Sequence, residues 1–157
     1  QFLRVWTLQG LWVFLTSVAA VTAITSRKII EPDLFFYIGS FLWVFGFLFE
    51  SIADYQKRKF RSENKNKFIQ SGLWSVSRHP NYFGEIVLWF GIALIAFPTL
   101  VGPQYVSLIS PLFVYLLLTR VSGVHILEKH ADDTWGKKKD YQAYKEKTPV
   151  LFPKIFK

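Results

Sequence analysis

Charge is missing from three long stretches of this chain, and no other feature limits its fold as much. Twenty-two uncharged residues lie between Arg4 and Arg27, sixteen between Asp33 and Glu50, and thirty-four between Glu85 and Arg120. A helix needs about 20 apolar residues to cross a bilayer, so the first stretch holds one span and the third holds two. The run Phe97-Pro98-Thr99-Leu100-Val101-Gly102-Pro103 divides the third, because Pro and Gly end helices and permit a turn. Trp and Phe fall on every side of these stretches, in a chain that is 51% hydrophobic and 18% aromatic. A helix on the surface of a soluble domain carries its apolar residues on one stripe, and that one-sidedness is absent here. The expectation is an all-α fold: a polytopic membrane helix bundle of about four transmembrane helices plus a cytoplasmic C-terminal helical tail. Read as a single membrane domain, 1–157, it has expected spans at about 5–25, 34–55, 81–98 and 104–127 and a tail over 128–157.

The net charge of +8 is unevenly placed. Residues 54 to 79 carry seven Lys or Arg (Lys57, Arg58, Lys59, Arg61, Lys65, Lys67, Arg78) against Asp54 and Glu63. Beyond Arg120 there are eight Lys against five acids, and the turn at 97–103 has no charge at all. Lys and Arg accumulate in cytoplasmic loops, which puts loop 54–79 and the C-terminus on the cytoplasmic side. Because the positive charge follows the loops of a membrane topology, the expected partner is the lipid bilayer and not nucleic acid. Cysteine is absent, which excludes disulfides, thiolate metal sites and a cysteine nucleophile. Methionine is absent even at position 1, so the chain is expected to be a piece of a longer one with helices upstream. No positive n-region with a small-residue cleavage site precedes the first apolar run, which is therefore not a signal peptide. The oligomeric state leaves no mark in the sequence.

Polar groups crowd the mouth of the third span. Gly72-Leu-Trp-Ser-Val-Ser-Arg78-His79-Pro80-Asn81-Tyr82-Phe83-Gly84-Glu85 sets Arg, His, Asn and Glu within eight residues. Ionisable groups at the edge of hydrocarbon are costly and usually mark a site. Arg78 offers a planar fork for phosphate or carboxylate, and His79, Asn81 and Tyr82 add directional donors. Trp74 adds a face for stacking. Pro80 suits the first turn of a helix, whose free amides and dipole favour an anion by about 0.3–1 kcal/mol. Glu85, one turn in from Asn81, is placed to accept from an amide or a ribose hydroxyl. Interfacial anchoring accounts for Trp74, Tyr82 and Arg78, but not for Asn81 and Glu85.

On the second span Glu50, Asp54, Arg58 and Arg61 recur at spacings of four, four and three and share one face. Salt bridging along a solvated helix end accounts for Arg58 and Arg61. Glu50 lies inside the apolar stretch and needs a partner or an aqueous cavity. The fourth span ends in Arg120, Ser122-Gly123, His125 and Glu128, with Arg120 and Glu128 two turns apart and expected to face one cavity. Gly123 permits close approach of a neighbour, while snorkelling accounts for Arg120 taken alone. Three histidines cannot build a multi-histidine di-iron site, and no metal is expected. Without a Gly-x-Gly-x-x-Gly, P-loop or Gly-x-Ser-x-Gly sequence, a dinucleotide would not sit in a Rossmann crevice.

In combination, Gly72-Leu-Trp74, Arg78-His-Pro-Asn-Tyr-Phe-Gly-Glu85, Leu118-Thr-Arg-Val-Ser-Gly-Val124 with Leu127-Glu128, and the ending Tyr141-x-x-Tyr144-x-x-x-Thr148-Pro-x-x-Phe-Pro153 resemble the steroid 5-alpha-reductase-like integral membrane reductase family. The likeness is to the C-terminal part of the family domain in its largely uncharacterised, mostly bacterial branch. Leu8-Gln-Gly-Leu-Trp12 and Gly46-Phe-Leu-Phe-Glu50-Ser-Ile-Ala-Asp54-Tyr55 are similar to that branch too. The resemblance implies a bacterial inner-membrane enzyme, rather than one of the endoplasmic reticulum, whose cytoplasmic half encloses NADPH. It implies an oxidoreductase acting on CH–CH bonds, with hydride passing to the double bond of a hydrophobic, lipid-like enone. By position it assigns cofactor binding to Glu50, Asp54, Arg61, Asn81, Glu85, Arg120, Glu128, Tyr141 and Tyr144. Their own chemistry adds Arg58, Trp74, Arg78, His79 and Tyr82 to that set. In similar reductases the Glu and Tyr that polarise the substrate precede the equivalent of these spans. The catalytic donor is therefore expected upstream, with Tyr82 as the candidate inside the chain. Isoprenylcysteine carboxyl methyltransferases and phospholipid methyltransferases share an Arg-His-Pro-x-Tyr-x-Gly block, with S-adenosylmethionine in place of NADPH. Their adjacent glutamates after the last span are replaced here by Glu128-Lys129. A non-catalytic membrane protein on the same scaffold is the third reading.

Overall fold

The computed structural model describes residues 2–28 and 30–154; Gln1, Ile29 and the last three residues of the expected tail, 155–157, lie outside the described residues. The regular elements are α1 (Phe2–Thr25), α2 (Leu34–Glu63), α3 (Pro80–Ala96), α4 (Ile109–Leu116), α5 (Val124–Trp135) and α6 (Lys139–Lys147), joined by short 3₁₀ and π turns. Four stretches, Leu3–Thr25, Leu34–Glu63, Pro80–Thr99 and Gly102–Trp135, are helical and apolar over a length that crosses a membrane. Their surfaces carry large apolar side chains such as Leu3, Ile24 and Phe41, which are stable against hydrocarbon and not against water. The protein is an all-helical integral membrane bundle.

The chain divides into two compact units, Gln1–Val44 with Ile86–Leu116, and Phe45–Glu85 with Leu117–Lys157. In the first unit, four hydroxyls of α1 are satisfied within the helix: Thr7, Ser17, Thr22 and Thr25 each donate to the carbonyl four residues back, at 2.7–2.8 Å. Asp33 starts α2, its carboxylate accepting from the Phe36 N–H at 2.9 Å. The core of this unit includes Ala19, Ala93, Ala96, Leu100 and Val114, all almost wholly buried. Gly39 of α2 and Gly91 of α3 touch backbone to backbone; a β-carbon on Gly91 would lie 2.6 Å from the Gly39 carbonyl. The break expected at 97–103 is a 3₁₀ turn at Phe97–Thr99 and a second starting at Gly102, whose φ of 54° suits glycine. The Ser26 hydroxyl donates to Thr99 O at 2.8 Å, and that of Ser110 to Thr16 O.

The second unit holds the rest of α2, the block at 72–85 and everything beyond Leu117. Its core is Ala53, Trp74, Leu117, Leu118, Val124, Tyr141 and Leu151. Here α2 runs on as far as Glu63, so most of the basic stretch from Lys57 is helical. The fourth span, expected as one helix, is interrupted. Leu117–Val121 forms a π turn in which the Ser122 N–H donates to Leu117 O at 3.0 Å, one residue further back than in an α-helix. The chain then bends at Gly123, where a β-carbon would meet the Leu118 carbonyl and the Tyr82 ring. Beyond α6 the chain stops being helical at Thr148-Pro149, since the residue before Pro is pushed out of the helical region.

Candidate functional site

The polar block at the start of α3 is held from both sides. Gly72 adopts φ of 61° and abuts Gln56, whose side-chain oxygen accepts from the Leu73 N–H at 2.9 Å. The Trp74 indole donates to Ala53 O at 3.0 Å, and the Lys57 ammonium lies 4.7 Å from its ring centre. Trp74 is therefore buried at 4% exposure with a cation already on its face, so it braces the site and leaves little open ring for stacking. On the other side the tail straps the link 76–79. The Arg78 N–H donates to Pro149 O at 2.9 Å, the Lys154 N–H to Val76 O at 3.0 Å, and the Ser77 hydroxyl to Leu151 O at 2.8 Å. The Tyr144 hydroxyl donates to Trp74 O at 2.7 Å.

These restraints aim Arg78 and His79 at Glu128 of α5. Arg78 Nη1 lies 2.7 Å from Glu128 Oε2, and His79 Nε2 lies 2.8 Å from Oε1. All three side chains are largely buried, with exposures of 9%, 7% and 19%. Lys145 extends the network, 4.0 Å from Glu128 and 2.7 Å from Asp132 Oδ2. The His79 ring stacks on Tyr82, centroids 5.6 Å apart with 9° between planes. Arg78 Nε, His79 Nδ1 and Asn81 Oδ1 are buried in this block without a hydrogen-bond partner among the described residues, as are the Thr16 and Ser107 hydroxyls elsewhere. Buried polar atoms are rarely left so, and unpaired groups at one site are what a ligand or ordered water fills.

A cavity of about 140 Å³ opens beside this network. Lys57, Arg61, Lys67 and Arg78 supply cations, and Glu128 is the carboxylate in its wall. Phe68 closes it, packing on Trp135, Tyr141 and Tyr144 with centroids 5.2–5.9 Å away. Burial, helped by the Glu128 and Asp132 carboxylates, pushes the Tyr141 phenol up to about 12, and burial raises that of Tyr144 as well. Both tyrosines remain neutral hydrogen-bonding groups throughout the physiological range.

Glu50, Asp54, Arg58 and Arg61 do share one groove along α2, and Lys57 and Arg61 line both this groove and the cavity. Glu85 follows Gly84, which packs directly on the α2 backbone at Glu50. Arg120 is exposed and shares a groove with His125 and Glu128. Lys57, Lys67, Phe68, Asp132 and Lys145 border the cavity or its ion network without having been expected there. Lys57 carried a usable signal, since it lies three residues after Asp54 and four before Arg61 and so borders the same helix face. Lys145 and Asp132 meet only because α5 and α6 fold back on each other, and no local pattern announces that.

The family described as "Protein of unknown function (DUF1295)" matches residues 1–148. The chain is similar to a protein of Acanthamoeba polyphaga mimivirus named "Probable 7-dehydrocholesterol reductase", at 35% identity over 34% of this chain and 16% of that protein. It is also similar to "3-oxo-5-alpha-steroid 4-dehydrogenase 1" of Bos taurus, at 39% identity over 38% of this chain and 24% of that protein. The matched part thus covers less than a quarter of either relative's length. No solved structure matches the chain.

Proposed function

The chain belongs to the DUF1295 family, and from that premise we propose that it is a membrane reductase of the steroid-reductase kind whose second unit binds NADPH. The proposed substrate is a hydrophobic, lipid-like enone, reduced at its carbon–carbon double bond. The observation that carries the reading is the pair of unpartnered buried atoms on Arg78 and His79 in the wall of a cavity lined by cations, with a third on Asn81 two residues further along the chain. The names of the two relatives support it, both being reductases or dehydrogenases of sterol-type molecules.

The donor set fits such a cofactor. Lys57, Arg61 and Lys67 form no ion pair among the described residues, so their charge is available for phosphate. The cavity has room for one ring or one phosphate group, and the adjoining groove at Glu50, Asp54 and Arg58 offers further polar contacts. Glu128 fixes the Arg78 guanidinium and the His79 ring, so that the free Nε and Nδ1 are held in set directions. Phe68, Tyr141 and Tyr144 exclude water from the wall, which strengthens every electrostatic contact inside. NADPH, when bound, supplies the hydride. Tyr82 is the residue of this chain proposed to donate a proton to a substrate oxygen. With loop 54–79 and the tail in the cytoplasm, the site opens to the cytoplasmic cofactor pool.

Asn81→Ala tests the assignment. Losing one hydrogen-bonding group costs about 1–2 kcal/mol, so NADPH binding weakens by roughly tenfold while the unfolding midpoint stays near that of wild type. Equal loss of fold and binding would return Asn81 to a purely structural place at the start of α3.

A further inference from the structure

One face of α2 runs from hydrocarbon into water, and exposed lysines stand at its end and in the turn that follows. Leu48, Ile52 and Tyr55 recur at spacings of four and three and are 51%, 47% and 59% exposed. Lys59 continues the same stripe four residues later, and Lys65 follows in the turn after the helix; both are exposed. None of these five lines the cavity or the groove described above. At 1.5 Å per residue Lys59 stands about 6 Å beyond Tyr55 along the helix. The headgroup layer on each side of a bilayer is about 5–7 Å deep. Tyrosine favours the membrane interface, so with Tyr55 there the Lys59 ammonium reaches the level of the lipid phosphates.

Charge on this surface is not cancelled from within. Glu63 is the nearest acid in sequence, and neither lysine forms an ion pair among the described residues. The carboxylates that do pair, Glu128 and Asp132, are taken by Arg78, His79 and Lys145. We propose that Lys59 and Lys65 form a binding surface for the headgroups of anionic phospholipids. The surface has no walls to hold a free phosphate or a nucleotide, whereas a bilayer brings headgroups to it at high local concentration. The lipid contact needs nothing bound in the neighbouring cavity.

Native mass spectrometry of the full chain, released from micelles doped with equimolar phosphatidylglycerol and phosphatidylcholine, reads the preference directly. Wild type is expected to retain phosphatidylglycerol in excess. Each lysine near an anionic surface is worth on the order of fivefold, so K59Q/K65Q loses most of the excess. R27Q/K28Q, which removes the same charge from the exposed loop between α1 and α2, keeps it. K59R/K65R keeps it as well, and circular dichroism of equal amplitude shows that all variants are folded. No preference in wild type, an unchanged preference in K59Q/K65Q, or an equal loss in R27Q/K28Q would overturn the proposal.

Discussion

Gly84→Ala is the sharpest structural test, because the geometry decides between two opposing effects of similar size. A β-carbon at Gly84 would lie 2.6 Å from the Glu50 backbone nitrogen, 2.7 Å from the Gly46 carbonyl oxygen and 2.9 Å from the Glu50 β-carbon. Favourable contacts between heavy atoms fall near 3.5–4.0 Å, so all three are repulsive, and two involve backbone that no rotamer change can move. Forcing an extra methyl into a packed contact costs about 1–3 kcal/mol. Replacing a helical glycine by alanine gains at most about 1 kcal/mol. The clash wins, and the expected net loss is about 1–2 kcal/mol, together with a displacement of Glu50 from Glu85. Gly10 provides the control, since nothing lies within 4 Å of its would-be β-carbon. Unfolding by sodium dodecyl sulfate titration in mixed micelles, followed by near-ultraviolet circular dichroism, gives both values. If Gly84→Ala proved as stable as Gly10→Ala, the close approach of α2 and α3 at Glu50 would be refuted.

The ion network makes a second prediction: Glu128→Gln and Arg78→Gln each destabilise by about 2–3 kcal/mol, and the double variant by clearly less than the sum, because a partner left alone keeps a largely buried, unpaired group. A double-mutant cycle on unfolding free energies measures that coupling, and additive losses would contradict it. Tyr144→Phe removes the donor to Trp74 O and is expected to cost about 1 kcal/mol in the same assay, with the helical content unchanged. The Tyr141 phenol, raised from 10.0 to about 12 in the folded chain, holds its proton more tightly folded than unfolded. Its contribution is therefore complete below pH 10 and is lost as pH rises through about 12, so stability falls across that window and falls less in Tyr141→Phe.

Much of this was legible in the chain because a bilayer is a demanding solvent. Uncharged stretches of 22, 16 and 34 residues leave few alternatives to spanning helices, and the described residues form four helical stretches long and apolar enough to span. The Glu50-Asp54-Arg58-Arg61 groove was legible for a different reason, since a fixed helical period puts such spacings on one face. The interruption at Leu117–Val121 was not. A π turn differs from an α turn by a single shifted hydrogen bond, and Ser122-Gly123 permits that shift without demanding it. The block at 72–85 announced polar chemistry, yet the partner of Arg78 and His79 stands about fifty residues away on α5, where only tertiary folding brings it close. Trp74 shows the limit on residue types: an indole reads as a stacking platform until Ala53 O and Lys57 are seen to occupy it.

Cofactor choice separates a reductase from a methyltransferase on this scaffold. Titration of the purified full-length protein with NADPH, and separately with S-adenosylmethionine, measures it by the quenching of tryptophan fluorescence. Saturable binding of NADPH, weakened by Arg61→Gln and by Asn81→Ala, is the result expected of a membrane reductase with its cofactor against the Arg78–His79–Glu128 network. Saturable binding of S-adenosylmethionine alone, or of neither, would contradict it.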